Sequence, residues 1–222
     1  MTIKERFEKI KGRIKKDKIT VIGVTKSHPY SVIIESLEAG ITDIGESYVQ
    51  EAVKKYDEVK DKLSPEQFSR INWHYIGTLQ TNKIKYLDQK FTTIHSIHSK
   101  KQLDEIKKRI SHPVSVFFEV NVGDETSKTG ADFEEIVEVC QYSLSMPNIR
   151  PLGLMCIPPY SDDKEASRKY FIRLREQLEE LNSRLGTKMD CLSMGMSDDF
   201  DIAIEEGATH VRIGTALYGE RG

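Results

Sequence analysis

Short apolar runs alternate with longer segments of helical spacing along the whole chain. The short runs are rich in β-branched and apolar residues and have the length of ordinary strands. The longer segments repeat apolar residues with a helical period, which is typical of helices that bury one face. The pattern predicts strands at 20–26, 43–47, 71–77, 92–98, 114–123, 149–157, 189–196 and 210–217.

Helical segments lie between these strands. They are predicted at 30–40, 48–63, 79–89, 100–110, 131–145, 162–185 and 198–206. Gly40, Gly186 and Gly207 follow three of them, and glycine readily adopts the left-handed conformation that ends many helices. A further helix is predicted at 3–17, ahead of the first strand, with an apolar residue on each turn.

The regular alternation predicts an α/β fold built from parallel βαβ units. Repeated right-handed crossovers close eight such strands into a (β/α)₈ TIM barrel. We therefore expect a single barrel domain over 1–222, with the helix at 3–17 taking the place of the outer helix missing after the last strand. The alternative is an open doubly wound sheet, which needs a glycine-rich turn after the first strand. This chain has Lys26-Ser27-His28-Pro29 there.

The charge balance excludes several classes of partner. The 222 residues include 33 Lys and Arg and 35 Asp and Glu, and the formal net charge is −2. No global field is therefore available to attract nucleic acid or an anionic membrane, and an anionic ligand must be held by a local site. The amino terminus lacks the apolar core of a signal peptide, and no run is long enough to span a membrane, so we expect a cytoplasmic protein.

The three cysteines predict neither a metal site nor a disulfide. Cys140, Cys156 and Cys191 are widely spaced and form no C-x-x-C pattern, which agrees with a reducing compartment. No heptad seam or broad apolar helix face stands out, so we expect a monomer.

Lys26 is the first candidate for chemistry, because it ends the first predicted strand. Active sites of TIM barrels lie at the carboxyl ends of the strands. Lys26 has two interpretations at this point. It is either a lysine that extends to the barrel rim with its amine in water, or a partly desolvated amine that attacks a carbonyl carbon.

The last two predicted strands end in small and hydroxylated residues. Loops after strands seven and eight commonly bind phosphate in barrels, because small residues let backbone N–H groups approach an anion. The residues suited to such a cradle are Ser193, Gly195, Ser197, Gly214 and Thr215. Ser197 has a second interpretation as the N-cap of the helix that starts at Asp198. Asp198 and Asp199 are expected to point away from an anion.

Arg212 alternates along its strand with Val211 and Ile213. If these two pack outward against helices, Arg212 points into the barrel. A guanidinium inside a barrel requires a partner, which is either a ligand or a structural ion pair.

Six stretches of the chain together resemble one protein family. They are VTKSHP, DIGESYVQEA, WHYIGTLQTNK, HSIHS, GLMCIPP and LSMGMSDDFDIAIEEGATHVRIGTALYG. In this order and spacing they resemble the pyridoxal phosphate homeostasis (PLP-binding) proteins, whose fold is similar to the N-terminal barrel of alanine racemase. The resemblance extends over nearly the whole chain.

The resemblance implies that Lys26 holds pyridoxal 5′-phosphate (PLP) as an internal aldimine, a Schiff base. It implies that Arg212 faces the pyridine nitrogen. A guanidinium stays protonated and donates to that nitrogen, so the ring is a weaker electron sink than one paired with a carboxylate. The phosphate is implied to contact Ser193, Ser197, Gly214 and Thr215.

Other positions of the resembling motifs are less definite. The family pattern Gly-Glu-Asn is Gly45-Glu46-Ser47 here, which puts the asparagine contact in doubt, although the Ser47 hydroxyl can act through water. His74 is either a core histidine or a cofactor contact through its motif. We also include Met194 among the predicted contacts, although methionine more often fills core.

Two further motif positions have simpler interpretations. Lys83 is either a solvated helix residue or a second amine that receives the cofactor. The segment 121–130, NVGDETSKTG, superficially resembles a P-loop but has Ser127 where the glycine is required, so we expect a polar turn near the cofactor mouth and no nucleotide site.

Two classes of function follow. The first is a carrier that stores or delivers PLP, with apo forms of PLP-dependent enzymes as possible acceptors, no catalytic residue and no metal. The second is a PLP-dependent amino-acid racemase with Lys26 as one base. Racemases of this kind use a tyrosine from an additional β-domain as the second base, and the chain stops at Gly222. We therefore expect no efficient catalysis. A Schiff-base aldolase is a third possibility, but its lysine usually lies on a middle strand.

Overall fold

Eight parallel strands close into a barrel in the computed structural model, which describes residues 1–123 and 129–220. Each strand pairs with the next along the chain, and the first also pairs with the last, with Ile22 opposite Arg212. The strands are β1 (Thr20–Val24), β2 (Asp43–Glu46), β3 (Asn72–Tyr75), β4 (Thr93–Ile97), β5 (Val114–Glu119), β6 (Ile149–Met155), β7 (Cys191–Ser193) and β8 (His210–Ile213). The predicted TIM barrel is confirmed.

Helices surround the barrel. They are α1 (Ile3–Arg13), α2 (Ser31–Glu38), α3 (Val49–Lys62), α4 (Pro65–Ser69), α5 (Lys100–Arg109), α6 (Phe133–Ser143), α7 (Arg168–Leu185), α8 (Phe200–Glu205) and α9 (Thr215–Tyr218). Two 3₁₀ helices, at Thr81–Leu87 and Lys164–Ser167, lie in the connections after β3 and β6. Gly40, Gly186 and Gly207 all have positive φ angles, as expected of glycines that follow helices.

The structure corrects the ends of several predicted elements. The last predicted strand, 210–217, stops at Ile213, and the short helix α9 follows it. Helix α4 was not predicted; Ser64 caps it in a capping box with Gln67, and Pro65 occupies its first turn. The segment predicted as a helix at 79–89 is a 3₁₀ helix. These differences arise where short segments carry too little hydrophobic periodicity to define their conformation.

Helix α1 packs beside the short helix α9. A capping box between Thr2 and Glu5 starts α1, and its apolar face buries Phe7 and Ile10. The Arg6 guanidinium donates to the carbonyl oxygen of Leu217 at 3.2 Å. Helix α1 therefore covers the part of the barrel next to the short α9, as the sequence predicts.

Side chains on one face of each strand point into the barrel. A Cβ atom on Gly45 would meet the side chains of Ile22 and Ile76, so these three positions share the interior. Because the side-chain direction alternates along a strand, Val24 and Lys26 continue the interior row of β1. The interior rows thus lead to the carboxyl ends of the strands, where the candidate residues lie.

The alanine variant of Gly77 tests the packing of the strand ends. A Cβ atom at Gly77 would lie 2.1 Å from the carbonyl oxygen of Ser47, which is backbone and cannot move aside easily. We expect Gly77→Ala to lower the free energy of unfolding by about 1–3 kcal/mol. The matched control is Gly12→Ala in α1, where a Cβ atom would meet nothing within 4 Å besides its own stretch of helix, and the change should raise stability by up to about 1 kcal/mol. Urea denaturation measures both, and a Gly77→Ala protein as stable as the wild type would contradict this packing.

Candidate functional site

A cavity of about 200 Å³ lies at the carboxyl ends of the strands. It brings together Lys26 after β1, Arg212 on β8 and the residues that follow β2, β7 and β8. The predicted site residues that line it are Lys26, Ser47, Ser197, Arg212, Gly214 and Thr215. The other lining residues are Val24, Ile76, Ile157, Met196 and Asp198. The cavity therefore combines one amine and one guanidinium with an apolar wall and hydroxyl groups.

The strand end that carries Lys26 is held from the outer side of the barrel. Thr25 points away from the cavity, and its hydroxyl donates to Glu46 Oε1 at 2.6 Å. Lys55 of α3 donates to the same oxygen at 2.9 Å and to the Thr25 carbonyl oxygen at 2.6 Å. Burial raises the pKa of Glu46 above its ordinary value, while Lys55 and Thr25 oppose that shift. These contacts anchor the backbone on one side of Lys26.

The residue after Lys26 is anchored as well. Ser27 has a φ of +64°, a left-handed conformation that is unusual for serine, and its backbone N–H donates to Glu51 Oε1 at 2.6 Å. Lys55 bridges to the same carboxylate at 2.5 Å. Nothing in the sequence pattern identified Glu46, Glu51 or Lys55 as site residues. The helical spacing of Glu51 and Lys55 was visible, but their contact with β1 was not.

Arg212 lies in the interior of the barrel, as its alternation with Val211 and Ile213 predicts. Its side chain is 4% exposed. Nη1 donates to the carbonyl oxygen of Ser193 at 2.8 Å and to its hydroxyl at 2.7 Å, and Nη2 donates to the carbonyl oxygen of Cys156 at 2.9 Å. Burial lowers the pKa of Arg212, but an arginine side chain remains protonated in proteins. A fixed positive charge therefore faces the cavity.

Three of the predicted contacts lie outside the cavity lining. Ser193 is fully buried, and its hydroxyl contacts Arg212 and His95. Met194 is also fully buried, as part of the hydrophobic core. His74 is 4% exposed and lies deeper in the barrel. The structure thus brings together six of the predicted residues and places Ser193 behind Arg212.

Ser197 connects the loops after β7 and β8. Its hydroxyl oxygen accepts hydrogen bonds from the backbone N–H groups of Gly214 at 3.3 Å and Ala216 at 3.2 Å. The N-cap interpretation of Ser197 is wrong, because α8 starts later and Asp199 precedes it. Ser197 therefore meets the first turn of α9, within the cavity wall.

The two aspartates after Ser197 have different positions. Asp198 is exposed and lines the cavity. Asp199 is buried, and its Oδ1 accepts from the backbone N–H of Met196 at 2.7 Å. The expectation that both point outward is wrong: Asp198 lines the cavity, and Asp199 is buried because its carboxylate closes the turn before α8.

Histidines form a polar layer inside the barrel below Arg212. Nδ1 of His95 lies 2.9 Å from the Ser193 hydroxyl, and Nε2 of His95 lies 3.0 Å from Nδ1 of His74. The His95 ring stacks on Phe117 with ring centroids 4.4 Å apart. His210 packs against Phe117 from another side, with centroids 5.0 Å apart. The alternation of side-chain direction along β3, β4 and β8 is the sequence signal that would place these histidines in the interior.

Burial makes His95 and His210 resist protonation. Desolvation is the largest of the effects that hold the pKa of His95 well below its ordinary value. Desolvation is also the main cause that lowers the pKa of His210 to about 4. Neutral imidazoles are therefore the stable form of these two side chains near pH 7.

The remaining predicted positions lie away from the cavity or cannot be assessed. Lys83 lies in the 3₁₀ helix after β3, with its amine 5.9 Å from the ring centre of Tyr86. It does not line the cavity. Of the predicted polar turn 121–130, residues 124–128, including Lys128, lie outside the described residues.

The cysteines and acidic residues form no metal-binding group in the part of the chain that the structure describes. All three cysteines are free thiols. Burial raises the pKa of Cys140 and Cys156 to about 12, so these thiols are not nucleophilic at neutral pH. Within residues 1–123 and 129–220, no helix has the length and apolar character that crossing a membrane requires.

Sequence comparison finds relatives over the whole chain. The family model for the alanine racemase N-terminal domain matches residues 1–222. A pyridoxal phosphate homeostasis protein from Aquifex aeolicus is 47% identical over 204 residues, covering 90% of this chain and 86% of the relative. One from Pseudomonas aeruginosa is 40% identical over 99% of this chain and 96% of the relative.

Structural comparison gives the same grouping. PipY of Synechococcus elongatus PCC7942, solved with PLP bound, has a TM-score of 0.88 and is 28% identical, covering 98% of this chain and 100% of that chain. Alanine racemase from Corynebacterium glutamicum has a TM-score of 0.76 at 16% identity, and the match spans 98% of this chain and 60% of the racemase. The racemase shares the barrel fold.

The buried histidines predict a pH dependence of stability. An unfolded histidine titrates near pH 6.5, whereas folded His210 titrates near 4. Between these values the unfolded chain binds a proton that the folded chain does not, so the free energy of unfolding falls as the pH falls. We expect His210→Gln to reduce the slope of the free energy of unfolding against pH by about 1.4 kcal/mol per pH unit, which corresponds to one proton. Urea denaturation at several pH values between 6.5 and 4 measures the slope.

The matched control is Phe117→Leu, which changes the packing of the same layer without removing a titrating group. It should lower stability by a similar amount at every pH. Because the wild type is the reference, contributions from the carboxyl groups cancel in each difference. A His210→Gln slope identical to that of the wild type would contradict the assignment.

Proposed function

Because this chain belongs to the alanine racemase N-terminal domain family, together with the pyridoxal phosphate homeostasis proteins, we propose that it binds PLP in the cavity at the strand ends. The proposal treats 1–222 as one PLP-binding barrel domain. The observation that carries it is that the amine of Lys26 and the guanidinium of Arg212 line the same cavity as Ser197, Gly214 and Thr215. PLP combines an aldehyde, a ring nitrogen and a phosphate, and this cavity offers a group suited to each.

Lys26 is the proposed covalent anchor. Its amine forms a carbon–nitrogen double bond with the aldehyde carbon, and the aldehyde oxygen leaves as water. The contacts of Thr25 and Ser27 with Glu46, Lys55 and Glu51 hold the backbone on both sides of this lysine. When bound, PLP supplies an electrophilic imine and an electron-accepting ring. The Lys26 side chain is thus held toward the cavity while its backbone is fixed from outside.

Arg212 and the loops after β7 and β8 have proposed roles toward the ring and the phosphate. Arg212 donates a hydrogen bond to the ring nitrogen and stays protonated, which keeps that nitrogen in its neutral, accepting form. The loops after β7 and β8 bind the phosphate through Ser197, Gly214 and Thr215. The backbone N–H groups of Gly214 and Ala216 already point toward an oxygen in this wall, since they donate to the Ser197 hydroxyl.

The remaining predicted cofactor contacts differ in whether they line the cavity. Ser47 lines the cavity and is the proposed substitute for the asparagine of the family pattern. Ser193, His74 and Met194 are buried away from the lining, so we assign them no direct contact in this proposal.

The proposed role is that of a carrier that stores or delivers PLP in the cytoplasm, as a monomer, with apo forms of PLP-dependent enzymes as acceptors. Racemisation needs a base on each side of the substrate carbon. Among the described lining residues, the titratable groups are Lys26, Asp198 and Arg212, and Asp198 is exposed to solvent. This lining supports binding and exchange over efficient proton transfer.

Replacement of Lys26 tests the anchor. We expect the wild-type protein mixed with PLP to gain an absorption band near the border of the ultraviolet and visible ranges, and Lys26→Ala to lose it. Lys83→Ala is the matched control, because it also removes one lysine amine but lies outside the cavity, and it should keep the band. Borohydride reduction followed by mass spectrometry locates the link. A wild-type protein without the band, or a band that survives Lys26→Ala, would overturn the proposed anchor.

Transfer and turnover assays distinguish a carrier from a racemase. We expect PLP-loaded protein to restore the activity of an apo PLP-dependent enzyme, while the loaded protein racemises alanine no faster than free PLP at the same concentration. Lys26→Ala mixed with PLP and then desalted controls for unbound cofactor. Racemisation well above the free-cofactor rate would identify an enzyme, and loaded protein that never gives up PLP to excess apo-enzyme would contradict delivery.

A further inference from the structure

Arg212 is connected to the opposite end of the barrel by an unbroken series of hydrogen bonds. Its Nη1 lies 2.7 Å from the Ser193 hydroxyl, which lies 2.9 Å from His95 Nδ1. His95 Nε2 lies 3.0 Å from His74 Nδ1, and His74 Nε2 lies 3.0 Å from Asp43 Oδ1. Asp43 is the first residue of β2, at the amino-terminal face, and its side chain is 20% exposed.

The two ends of this series limit the direction of the hydrogen bonds between them. Arg212 has donors only, and an ionised Asp43 has acceptors only. Burial opposes the ionised form of Asp43, but its interactions with His74 and hydrogen bonds from Thr42 and Asn72 outweigh burial and hold the pKa of Asp43 below its usual value. In the arrangement that satisfies every group, each one between the ends accepts once and donates once. Ser193 then donates to His95 Nδ1, and both histidines carry a single ring proton, on Nε2.

The alternative, with a doubly protonated His74, leaves one hydrogen-bond donor of the series without an acceptor. If His74 were doubly protonated, its Nδ1–H would donate to His95, and His95 would donate to Ser193. The Ser193 hydroxyl would then accept from both His95 and Arg212, and its own hydrogen would have no acceptor among the described hydrogen bonds of that oxygen. A second positive charge would also enter the barrel interior, where Arg212 is already 4% exposed. A buried polar hydrogen without an acceptor is costly, so the neutral arrangement prevails.

We propose that Asp43, His74, His95 and Ser193 form a one-directional relay that orients Arg212 toward the cofactor ring from the far end of the barrel. The four are positioning residues, since none of them lines the cavity. The relay's role toward the ring rests on the proposed PLP function, whereas its direction is a property of the protein alone. It extends the site beyond the cavity to the amino-terminal face, where Lys11, Lys18 and Asp43 line a surface groove.

Nitrogen-15 NMR of the cofactor-free protein tests the direction of the relay. At pH 7 we expect His74 and His95 each to show a protonated Nε2 and an unprotonated Nδ1, and the Arg212 guanidinium protons to exchange slowly. A proton on Nδ1 of either histidine would overturn the relay. This readout needs no cofactor, so it remains decisive even if the proposed function fails.

Variants at His95 test the effect on Arg212. His95→Leu keeps an apolar volume and removes both ring nitrogens, whereas His95→Gln keeps a donor and an acceptor on one side chain. We expect His95→Leu to shift the absorption of the PLP-loaded protein, to speed loss of PLP on dilution by about threefold to tenfold, as for the loss of one hydrogen bond, and to accelerate Arg212 proton exchange. His95→Gln should restore part of each change.

Phe117→Leu is the packing control, because Phe117 stacks on His95 but contributes no hydrogen bond to the relay. It should lower stability without changing the spectrum or the Arg212 exchange rate. If His95→Leu fails to fold, Asp43→Asn at the solvent-facing end replaces it, with smaller changes in the same direction. Variants of His95 and Asp43 that behave like Phe117→Leu would overturn the proposal. A relay seen by NMR in a protein that binds no PLP would instead overturn the proposed function.

Discussion

The charge of Arg212 inside the barrel is the constraint on which the site depends. A guanidinium removed from water is stable only when its N–H groups find acceptors. The carbonyl oxygens of Ser193 and Cys156 and the Ser193 hydroxyl provide them. That hydroxyl in turn needs an acceptor for its own hydrogen, and His95 supplies one. A single charged residue on β8 thus accounts for polar side chains on β7, β4 and β3, in a layer that most barrels fill with aliphatic residues.

A second polar cluster lies on the other side of the barrel wall. Thr25, Glu46 and Lys55 meet between β1, β2 and α3, and none of them lines the cavity. Buried ion pairs of this kind contribute little net stability, because the attraction mainly offsets the cost of desolvation. Their effect here is geometric. They fix the end of β1 from behind, at the point where the side chain of Lys26 lines the cavity.

The sequence predicted the parts of this arrangement that depend on periodicity. Alternation along β8 placed Arg212 in the interior, and the order of strands and helices predicted the closed barrel. The position of Lys26 at a strand end followed from the same reasoning. Periodicity does not show which residues meet across the fold, so the contact of Lys55 with Thr25 was missed. It also gave no reason to separate Ser193, which holds Arg212 from behind, from Ser197, which lines the cavity.

The Ser197 hydroxyl limits how strongly the loops after β7 and β8 can hold an anion. Its oxygen accepts from the N–H groups of Gly214 and Ala216, the same kind of donor that a phosphate oxygen would use. A phosphate bound by these two groups would compete with an acceptor that belongs to the protein. Competition of this kind would lower the affinity for the phosphate and ease its release. For the carrier proposed above, such an intramolecular substitute would favour exchange over permanent retention.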